Sequence, residues 1–245
     1  MTTNGGDMLF PGLKPKVARL PENIDLRCCD VAEVLRVARG VRLVTADPPW
    51  IYDHGGGQNG VAENHYDLLE LPGVVDHVEA AYDCTDPNGS RLALWYTWPQ
   101  SDAWETETIL RREGYKPGGW RWGKKITGGN WHKEGGKGVG YHWIGAAEPV
   151  AIYKRGAPAT DSSVYLRSSW SSHPEAHSAK PVEWMRQWLR RWTSPGDLVL
   201  DLYAGLGSVA IACALEGRRY IGAEIDPERH RRAGLNVVAA LEGAR

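Results

Sequence analysis

The sequence predicts an α/β protein whose doubly wound, mostly parallel sheet carries helices on both faces. Short apolar runs rich in β-branched residues alternate with amphipathic segments along the chain, as repeated βαβ units require. Two of the apolar runs end in loops with unusual chemistry, DPPW at residues 47–50 and the glycine turn at residues 203–207. Because ligands of such sheets bind beyond the carboxyl ends of the strands, we expect both loops on one rim.

The individual elements follow from hydrophobic period and from the placement of glycine and proline. Val41–Ala46 is mostly apolar and β-prone, which predicts a strand covered on both faces, and two prolines stop it. Residues 181–193 predict an amphipathic helix with Pro181 in its first turn. The other predicted strands are 24–30, 91–97, part of 115–125, 148–156, 198–203 and 219–225; the other helices are 31–39, 73–83, 101–112, 207–216 and a segment from Pro227; residues 51–66 and 127–142 are glycine-rich loops.

Length and composition predict one domain. With 245 residues, of which 42% are hydrophobic and 24% charged, the chain can bury a sizeable core. We expect residues 1–23 to be a flexible arm and residues 24–245 a single domain, with loops 51–66 and 123–143 as target-binding insertions. No apolar run approaches the length of about 18 residues that a transmembrane helix needs. Four cysteines without CxxC spacing predict free thiols in a reducing cytoplasm.

Positive charge is concentrated in one stretch of the chain. The formal net charge is −1, yet between residues 112 and 155 nine lysines and arginines stand against three acids. Tryptophan and tyrosine interleave with these cations, and the chain holds 12 Trp and 10 Tyr against one Phe. Cations beside amphipathic rings favour contact with nucleic-acid phosphates and bases. A solvated basic loop and a core that simply uses tryptophan are the alternatives.

The segment 201–212 has the order strand, Gly-x-Gly turn, helix. Glycines let the backbone approach a ligand closely, and the helix N-terminus offers free N–H groups. Glu224 ends the next strand, at the spacing of about 20 residues expected of an acid that binds ribose hydroxyls. These features alone also fit a nicotinamide dehydrogenase or a plain helix-entry turn. Because most of the sheet lies upstream of the turn, the order of elements is permuted relative to a dinucleotide-binding domain.

Together the two motifs resemble the β-class amino-methyltransferases that use S-adenosylmethionine, in which Asp-Pro-Pro-Trp/Tyr precedes Phe-x-Gly-x-Gly. Here YAGLG places Tyr203 at the Phe position, and the resemblance, which covers most of the chain from about Cys28, implies a permuted Rossmann-like methyltransferase fold. The segments CCDVAEVLRVARGVRLVTADPPW, GYHWIGAAEPVAIYKRG and HSAKP are similar to the catalytic subunit of the messenger-RNA adenosine methyltransferases. The C-terminal segment SPGDLVLDLYAGLGSVAIACALEGRRYIGAEIDPERHRRA is similar to bacterial and phage DNA methyltransferases.

The resemblance implies roles for the motif residues, and the expected catalytic residues are Asp47, Pro48, Pro49 and Trp50. Asp47 and the Pro48 carbonyl would accept the two N–H groups of the target adenine, while Trp50 stacks on the extruded base. In the same way Asp30 would bind the adenine amino group of the cofactor and Glu224 its ribose. Further expected cofactor contacts are Asp47, Lys180, Tyr203, Ala204, Gly205 and Gly207, and expected nucleic-acid contacts are Tyr52, His54, Lys124, Lys125, Lys133 and Lys137. Helix capping by Asp30 and a helix-entry lysine at Lys180 are the alternatives.

The motif chemistry also indicates a substrate. DPPW is typical of N6-adenine enzymes, whereas N4-cytosine enzymes usually carry Ser-Pro-Pro-Tyr, and the RNA enzymes' Glu-Leu-Phe-type segment is not found here. The sequence therefore predicts a site-specific DNA adenine methyltransferase, cytoplasmic in a bacterial cell, either an orphan or part of a restriction-modification or phage system. RNA N6-adenosine methylation and a catalytically silent nucleic-acid-binding subunit are the alternatives.

The expected partners of the protein follow from this substrate. We expect DNA in preference to RNA, no membrane, and either a homodimer or an accessory subunit. No metal is expected, because no cysteine or acid cluster completes a site around His173 and His177.

Overall fold

A computed structural model describes residues 19–50, 69–96, 98–132, 147–158 and 180–244 of the protein. In this part of the chain the strands are β1 (Ile24–Cys28), β2 (Val41–Ala46), β3 (Gly89–Trp95), β4 (Thr127–His132), β5 (Ala147–Gly156), β6 (Leu198–Asp201) and β7 (Arg219–Glu224). The helices are α1 (Val31–Val37), α2 (Leu71–Cys84), α3 (Trp98–Arg112), α4 (Val182–Trp192), α5 (Ser208–Glu216) and α6 (Pro227–Gly243).

The strands form one mostly parallel sheet in the order β1-β7-β6-β2-β3-β5-β4. The pairs from β1 to β3 in this order are parallel, whereas β5 runs antiparallel to both of its neighbours. The order places β6 and β7, the last two strands in the sequence, between β1 and β2, the first two. The predicted doubly wound and permuted α/β fold is confirmed.

Alternate residues of the central strands serve two separate cores. Val44 of β2 packs with residues of α1 and α2 on one face, and its neighbour Leu43 packs with residues of α4 and α5 on the other. Successive side chains of a strand point to opposite faces, so continuous apolar runs are what a sheet covered on both sides requires. The carboxyl ends of β1, β2, β6 and β7 are thereby aligned along one edge.

The helices begin at capping groups that the sequence supplies. The side chain of Asp30 accepts a hydrogen bond from the amide of Ala32 at the start of α1, and Asp226 accepts one from the amide of Arg229 at the start of α6. Each cap satisfies a backbone donor that has no partner inside the helix. In the described ranges no helix has both the length and the apolarity to cross a bilayer.

One strand lies elsewhere than predicted. Residues 115–125 contain no strand because their side chains attach them to α2: the indole of Trp122 donates to the carbonyl of Val78, and the amide of Arg121 donates to Glu79. The strand β4 follows at Thr127–His132, within the expected glycine-rich loop, where it pairs with β5. The expected insertion 123–143 therefore contains a strand at Thr127–His132, while residues 133–143 and the loop 51–66 lie outside the described residues.

Candidate active site

A cavity of about 220 Å³ opens at the carboxyl ends of β1, β2, β6 and β7. Its wall includes Asp30, which follows β1, Asp47, which follows β2, and Glu224, which ends β7. The residues of the DPPW motif and of the glycine turn line the same cavity. The two loops thus share one rim, as the alternation of strands and helices predicted.

Backbone hydrogen bonds beyond the strand ends fix these loops to one another. The amide of Leu202 donates to the carbonyl of Thr45 (3.0 Å), and the amide of Ala204 donates to that of Ala223 (2.8 Å). Such bonds extend the ladder of the sheet past its formal end. The segment that leads into DPPW and the segment that leads into the glycine turn are therefore held in register.

The glycine turn depends on backbone that only glycine adopts easily. Gly205 and Gly207 have φ angles of +54° and +85°, in the left-handed region that costs other residues free energy. A Cβ on Gly207 would lie 3.1 Å from the Cβ of Ala233 on α6. A side chain at position 207 would therefore strain the turn that places the N-terminus of α5 beside the cavity.

Glu224 is held by two backbone amides at the edge of the cavity. Its Oε2 accepts from the amide of Gly205 (2.8 Å) and its Oε1 from the amide of Asp226 (3.0 Å). The residue is 9% exposed, and burial raises its pKa while the two amides oppose that rise. Each carboxylate oxygen keeps a further lone pair, so the group is oriented and can still accept from a ligand hydroxyl.

A buried ion-pair cluster joins the DPPW motif to β5. The Nζ atom of Lys180 lies 2.6 Å from Oδ2 of Asp47 and 3.0 Å from Oε2 of Glu148, and 5.1 Å from the ring centre of Trp95. Although burial alone lowers the pKa of Lys180, the two carboxylates raise it above its ordinary value. Lys180 is thus a buried, charged group that fixes Asp47. Glu148, which sequence reasoning missed, enters the cavity only because β5 pairs with β3.

The DPPW motif itself is rigid, and Trp50 differs from the expected exposed platform. The amide of Trp50 donates to the Pro48 carbonyl (2.9 Å) and that of Leu69 to the Pro49 carbonyl (2.8 Å). The indole of Trp50 is 3% exposed, donates to the Trp95 carbonyl at 3.1 Å and packs edge-on against Trp104. In this structure Trp50 therefore supports the cavity wall, and its stacking on a base stays a prediction.

Two of the predicted cofactor contacts, Asp30 and Tyr203, line the cavity and also make hydrogen bonds within the protein. Asp30 caps α1 through Oδ1 and also lines the cavity, so the capping alternative and the binding role are compatible. The hydroxyl of Tyr203 lies 2.9 Å from Nδ1 of His77 on α2. Burial raises the pKa of Tyr203, so its hydroxyl stays neutral. His77 was not predicted, because no local pattern relates α2 to the glycine turn.

Asp201, the last residue of β6, is a second site residue that sequence reasoning missed. It is 3% exposed and lines the cavity. Its carboxyl accepts from the hydroxyls of Thr45 (2.9 Å) and Tyr220 (3.1 Å). Burial, with smaller contributions from Asp47 and Glu224, raises the pKa of Asp201 to about 7, against the lowering effect of the two hydroxyls. At the sequence level Asp201 is one polar residue at a strand end.

The basic stretch is largely engaged in ion pairs within the domain. Arg121 binds Glu79 and Asp83, Lys116 binds Glu107, and the predicted phosphate contact Lys125 binds Glu105. Lys124 is exposed. The remaining predicted contacts, and the two histidines weighed for a metal site, lie outside the described residues: Tyr52, His54, Lys133, Lys137, His173 and His177.

The aromatic composition is also explained mainly by packing. Trp95, Trp184 and Trp188 form one cluster with ring centres 4.8–5.5 Å apart. On the other face of the sheet from this cluster, Trp120 packs edge-on against Trp104. Buried rings at these distances add stability beyond their apolar area. In the described residues the core that uses tryptophan, one of the sequence alternatives, accounts for these side chains.

Comparison with known sequences gives partial matches to methyltransferases. The YubD protein of Escherichia coli (strain K12) is 40% identical over 100 residues, which cover 40% of this chain and 44% of that protein. The type II methyltransferase M.Cfr9I of Citrobacter freundii is 44% identical over 54 residues, 22% of this chain and 18% of that protein. The DNA adenine methyltransferase YhdJ of E. coli is 39% identical over 67 residues, 26% and 21% of the two chains. Each match thus spans less than half of the curated relative.

Comparison with solved structures and with family profiles covers more of the chain. The M1.HpyAVI–SAM complex has a TM-score of 0.61 at 16% identity over 87% of this chain and 99% of that one. The cytosine-N4-specific PvuII DNA methyltransferase has a TM-score of 0.58 at 14% identity over 89% and 92%; both share the fold. Residues 98–234 match the N6_N4_Mtase profile, described as DNA methylase. That profile covers more than half of the sequence, and the chain therefore belongs to the N6_N4_Mtase family of DNA methylases.

Proposed function

We propose that the protein transfers a methyl group from S-adenosylmethionine to the N6 amino group of adenine in DNA. The observation that carries the proposal is the shared cavity, in which Asp47 of DPPW faces the same space as the glycine turn and Glu224. Membership in the DNA methylase family supports the reaction class. The finer assignment to adenine rests on the motif.

The residues of the cavity fit S-adenosylmethionine, which carries a positive sulfonium and a ribose. Five carboxyl groups line the cavity against Lys180 and Arg229: Asp30, Asp47, Glu148, Asp201 and Glu224. An acidic lining favours a cationic ligand. Glu224 would accept the ribose hydroxyls, Asp30 the adenine amino group, and the turn from Tyr203 through Ala204, Gly205 and Gly207 would allow close approach of the methionine part. Lys180 acts on the cofactor only indirectly in this arrangement, through Asp47.

Asp47 and Pro48 would position the amino group of the target base. The carboxylate of Asp47, which Lys180 orients through Oδ2, would accept one N–H, and the Pro48 carbonyl, which keeps one lone pair beside its bond to Trp50, would accept the other. Two fixed acceptors keep the nitrogen lone pair directed away from the ring plane. Bound S-adenosylmethionine supplies an electrophilic methyl group, whose C–S electron pair stays on sulfur as the N–C bond forms. The proton released by the methylated nitrogen passes to Asp47 or to water.

Adenine in DNA is favoured over the neighbouring substrates by sequence evidence. DPPW is the motif expected of N6-adenine enzymes, and the partial relative YhdJ is named a DNA adenine methyltransferase. The fold alone does not choose, because the PvuII enzyme with the same fold is cytosine-N4-specific. RNA N6-adenosine methylation is the second candidate, supported by the front-half resemblance. A silent subunit is disfavoured by the intact Lys180–Asp47 pair.

With this function, the protein would act in the cytoplasm of a bacterial cell. Its gene would belong to the cell or to a phage. We propose that a second copy or an accessory subunit contributes to target binding, with the loops 51–66 and 123–143 and residues such as Tyr52, His54, Lys133 and Lys137.

The test uses S-adenosylmethionine with a labelled methyl group, unmethylated DNA and matched RNA. After digestion to nucleosides, mass spectrometry separates N6-methyladenine from N4-methylcytosine in each polymer. Label in DNA as N6-methyladenine, lost in Asp47→Asn and kept in the exposed-site control Asp25→Asn, supports the proposal. Label on cytosine or only in RNA transfers the assignment to those substrates. Cofactor binding without any label indicates a silent or incomplete enzyme.

A further inference from the structure

Asp201 is a buried acid of the cavity that is bound by hydroxyl groups. In the described residues its hydrogen-bond partners are the hydroxyls of Thr45 and Tyr220. A hydroxyl donates to a carboxylate and accepts from a carboxylic acid. Oγ1 of Thr45 also lies 3.5 Å from the Leu200 carbonyl, which gives its proton a second acceptor when Asp201 is protonated. The site can therefore hold either protonation state of Asp201 through reorientation of hydroxyl protons.

Two of the neighbouring acids are bound by groups that only donate. Glu224 accepts from two backbone amides, and Asp47 accepts from the ammonium of Lys180. Amides and ammonium groups stabilise a carboxylate, whereas the hydroxyls at Asp201 suit either charge state.

The packing around Asp201 makes its charge depend on what fills the cavity. Burial is the largest cause that raises the pKa of Asp201 to about 7, and the charged sheet neighbours, Asp47 beyond β2 and Glu224 on β7, are both negative and contribute to that rise. Burial also raises the pKa of Tyr220 on β7 and of Cys213 on α5, so both stay neutral.

Arg218, the cation that follows α5 in the sequence, binds backbone carbonyls and does not bind Asp201. The guanidinium of Arg218 donates to the carbonyls of Leu189 and Thr193, and in the described residues Asp201 has no cation within ion-pair distance. The cavity is also lined by Lys180, which is paired with Asp47 and Glu148, and by Arg229. A positive ligand would add to these charges and favour ionised Asp201.

We propose that Asp201 is a charge-sensing specificity residue: it is a carboxylate when the cavity holds the sulfonium cofactor and a carboxylic acid when the cavity holds the neutral thioether product. The inference rests on the proposed function. Methyl transfer converts a sulfonium into a thioether, so the cavity loses one positive charge, and Asp201 then takes up one proton from solvent. The cofactor and the product share their adenosine and amino-acid parts, which contribute equally to the affinity of both. The charge on Asp201 therefore makes the cavity bind the product less tightly than the cofactor.

The test measures the dissociation constants of S-adenosylmethionine and S-adenosylhomocysteine by titration calorimetry between about pH 6 and pH 8. In the wild type we expect the preference for the cofactor to rise about tenfold across this range, the effect of a pKa change of about one unit. In Asp201→Asn, which has no carboxyl group at this position, the preference for the cofactor should be low and should not rise across this pH range. Ionisation of the ligands themselves is the same for both proteins and cancels in the comparison. Titrations near pH 7 in buffers of different ionisation enthalpy should show proton release with the cofactor in the wild type alone.

A second variant keeps the carboxyl group. Tyr220→Phe removes one hydroxyl donor from the carboxylate, so the rise in preference should move to higher pH. An equal pH trend in wild type and Asp201→Asn, or no displacement in Tyr220→Phe, overturns the inference while leaving the proposed function intact. Failure of a folded wild type to bind either ligand overturns the proposed function instead.

Discussion

The ammonium of Lys180 lies between two carboxylates, 2.6 Å from Asp47 and 3.0 Å from Glu148, and its side chain is 8% exposed. Lys180 precedes α4, Asp47 follows β2 and Glu148 lies in β5, so the cluster exists only in the folded sheet. A buried ammonium with two partners is well compensated. Removing it would leave the carboxylates of Asp47 and Glu148 facing each other without the ammonium between them.

Replacement of this lysine should therefore change the pH dependence of methylation. In Lys180→Met the pKa of Asp47 should rise, because the neighbouring Glu148 charge is no longer neutralised. We expect turnover at neutral pH to fall roughly 100-fold, the loss typical of removing one preorganised electrostatic contact, and to recover partly as pH increases. Rate measurements across pH, with the exposed Lys154→Met as control, test this. A uniform loss at every pH would instead indicate damage to the fold.

Glu224 should control cofactor affinity. In Glu224→Gln only one side-chain oxygen remains for two backbone amides and a ribose, so the dissociation constant for S-adenosylmethionine should rise about tenfold or more, a cost of at least about 1.4 kcal/mol. Glu228→Gln, on the exposed side of α6, should bind normally. Calorimetry of both variants decides. Equal affinities would remove Glu224 from the cofactor site.

Two glycines with similar φ angles should respond differently to alanine. Gly207 and Gly217 have φ angles of +85° and +68°, so either substitution costs about 1 kcal/mol of stability through backbone strain. A Cβ at Gly207 additionally presses on Ala233, whereas one at Gly217 meets no atom within 4 Å. We expect Gly207→Ala to lose both stability and cofactor binding, and Gly217→Ala to lose stability alone. Thermal unfolding and calorimetry on the same preparations separate the two effects.

The basic stretch should divide into structural and DNA-contacting cations. Arg121→Ala leaves Glu79 buried without its guanidinium, so stability should fall by roughly 1–3 kcal/mol, with little change in the salt dependence of DNA binding. Lys124→Ala should keep stability and lower the slope of log affinity against log salt by about one. Denaturant unfolding and DNA titration at several salt concentrations measure both. Unchanged slopes in Lys124→Ala would assign it to the solvated surface.

Stability should depend on pH through Asp201. Its pKa in the folded protein, about 7, exceeds the value of about 3.9 for an unperturbed Asp, so the fold binds this proton more tightly than the unfolded chain. The associated stability is complete below about pH 4 and is lost as pH rises to about 7. Asp201→Asn has no such loss. The melting temperature of the variant relative to wild type should thus increase between pH 5 and pH 8, unlike that of the exposed-site control Glu242→Gln.

Local patterns were sufficient where one short segment decides the structure. The apolar run Val41–Ala46 with its two following prolines, and the proline and capping aspartate at the start of α6, carry their own stop and start signals. The segment 115–125 misled because aromatic residues suit both a strand and a core, and here Trp120 and Trp122 pack into the core beside α2 and α3. β4 was missed because its glycines are disfavoured in strands, so the local pattern predicts a loop. The pairing of β4 with β5 outweighs this local preference.

The sequence by itself determined the fold class, the permuted order of elements and the position of Asp47, Glu224 and the glycine turn at strand ends. These properties depend on residue type and spacing within short segments, which the chain fixes before it folds. Only the tertiary structure decided that Lys180 and Glu148 bind together beside Asp47, that Tyr203 meets His77, and that Asp201 has two hydroxyl partners. Those contacts join residues far apart in the chain, and their charges and pKa values arise from burial, which exists only once the sheet is assembled.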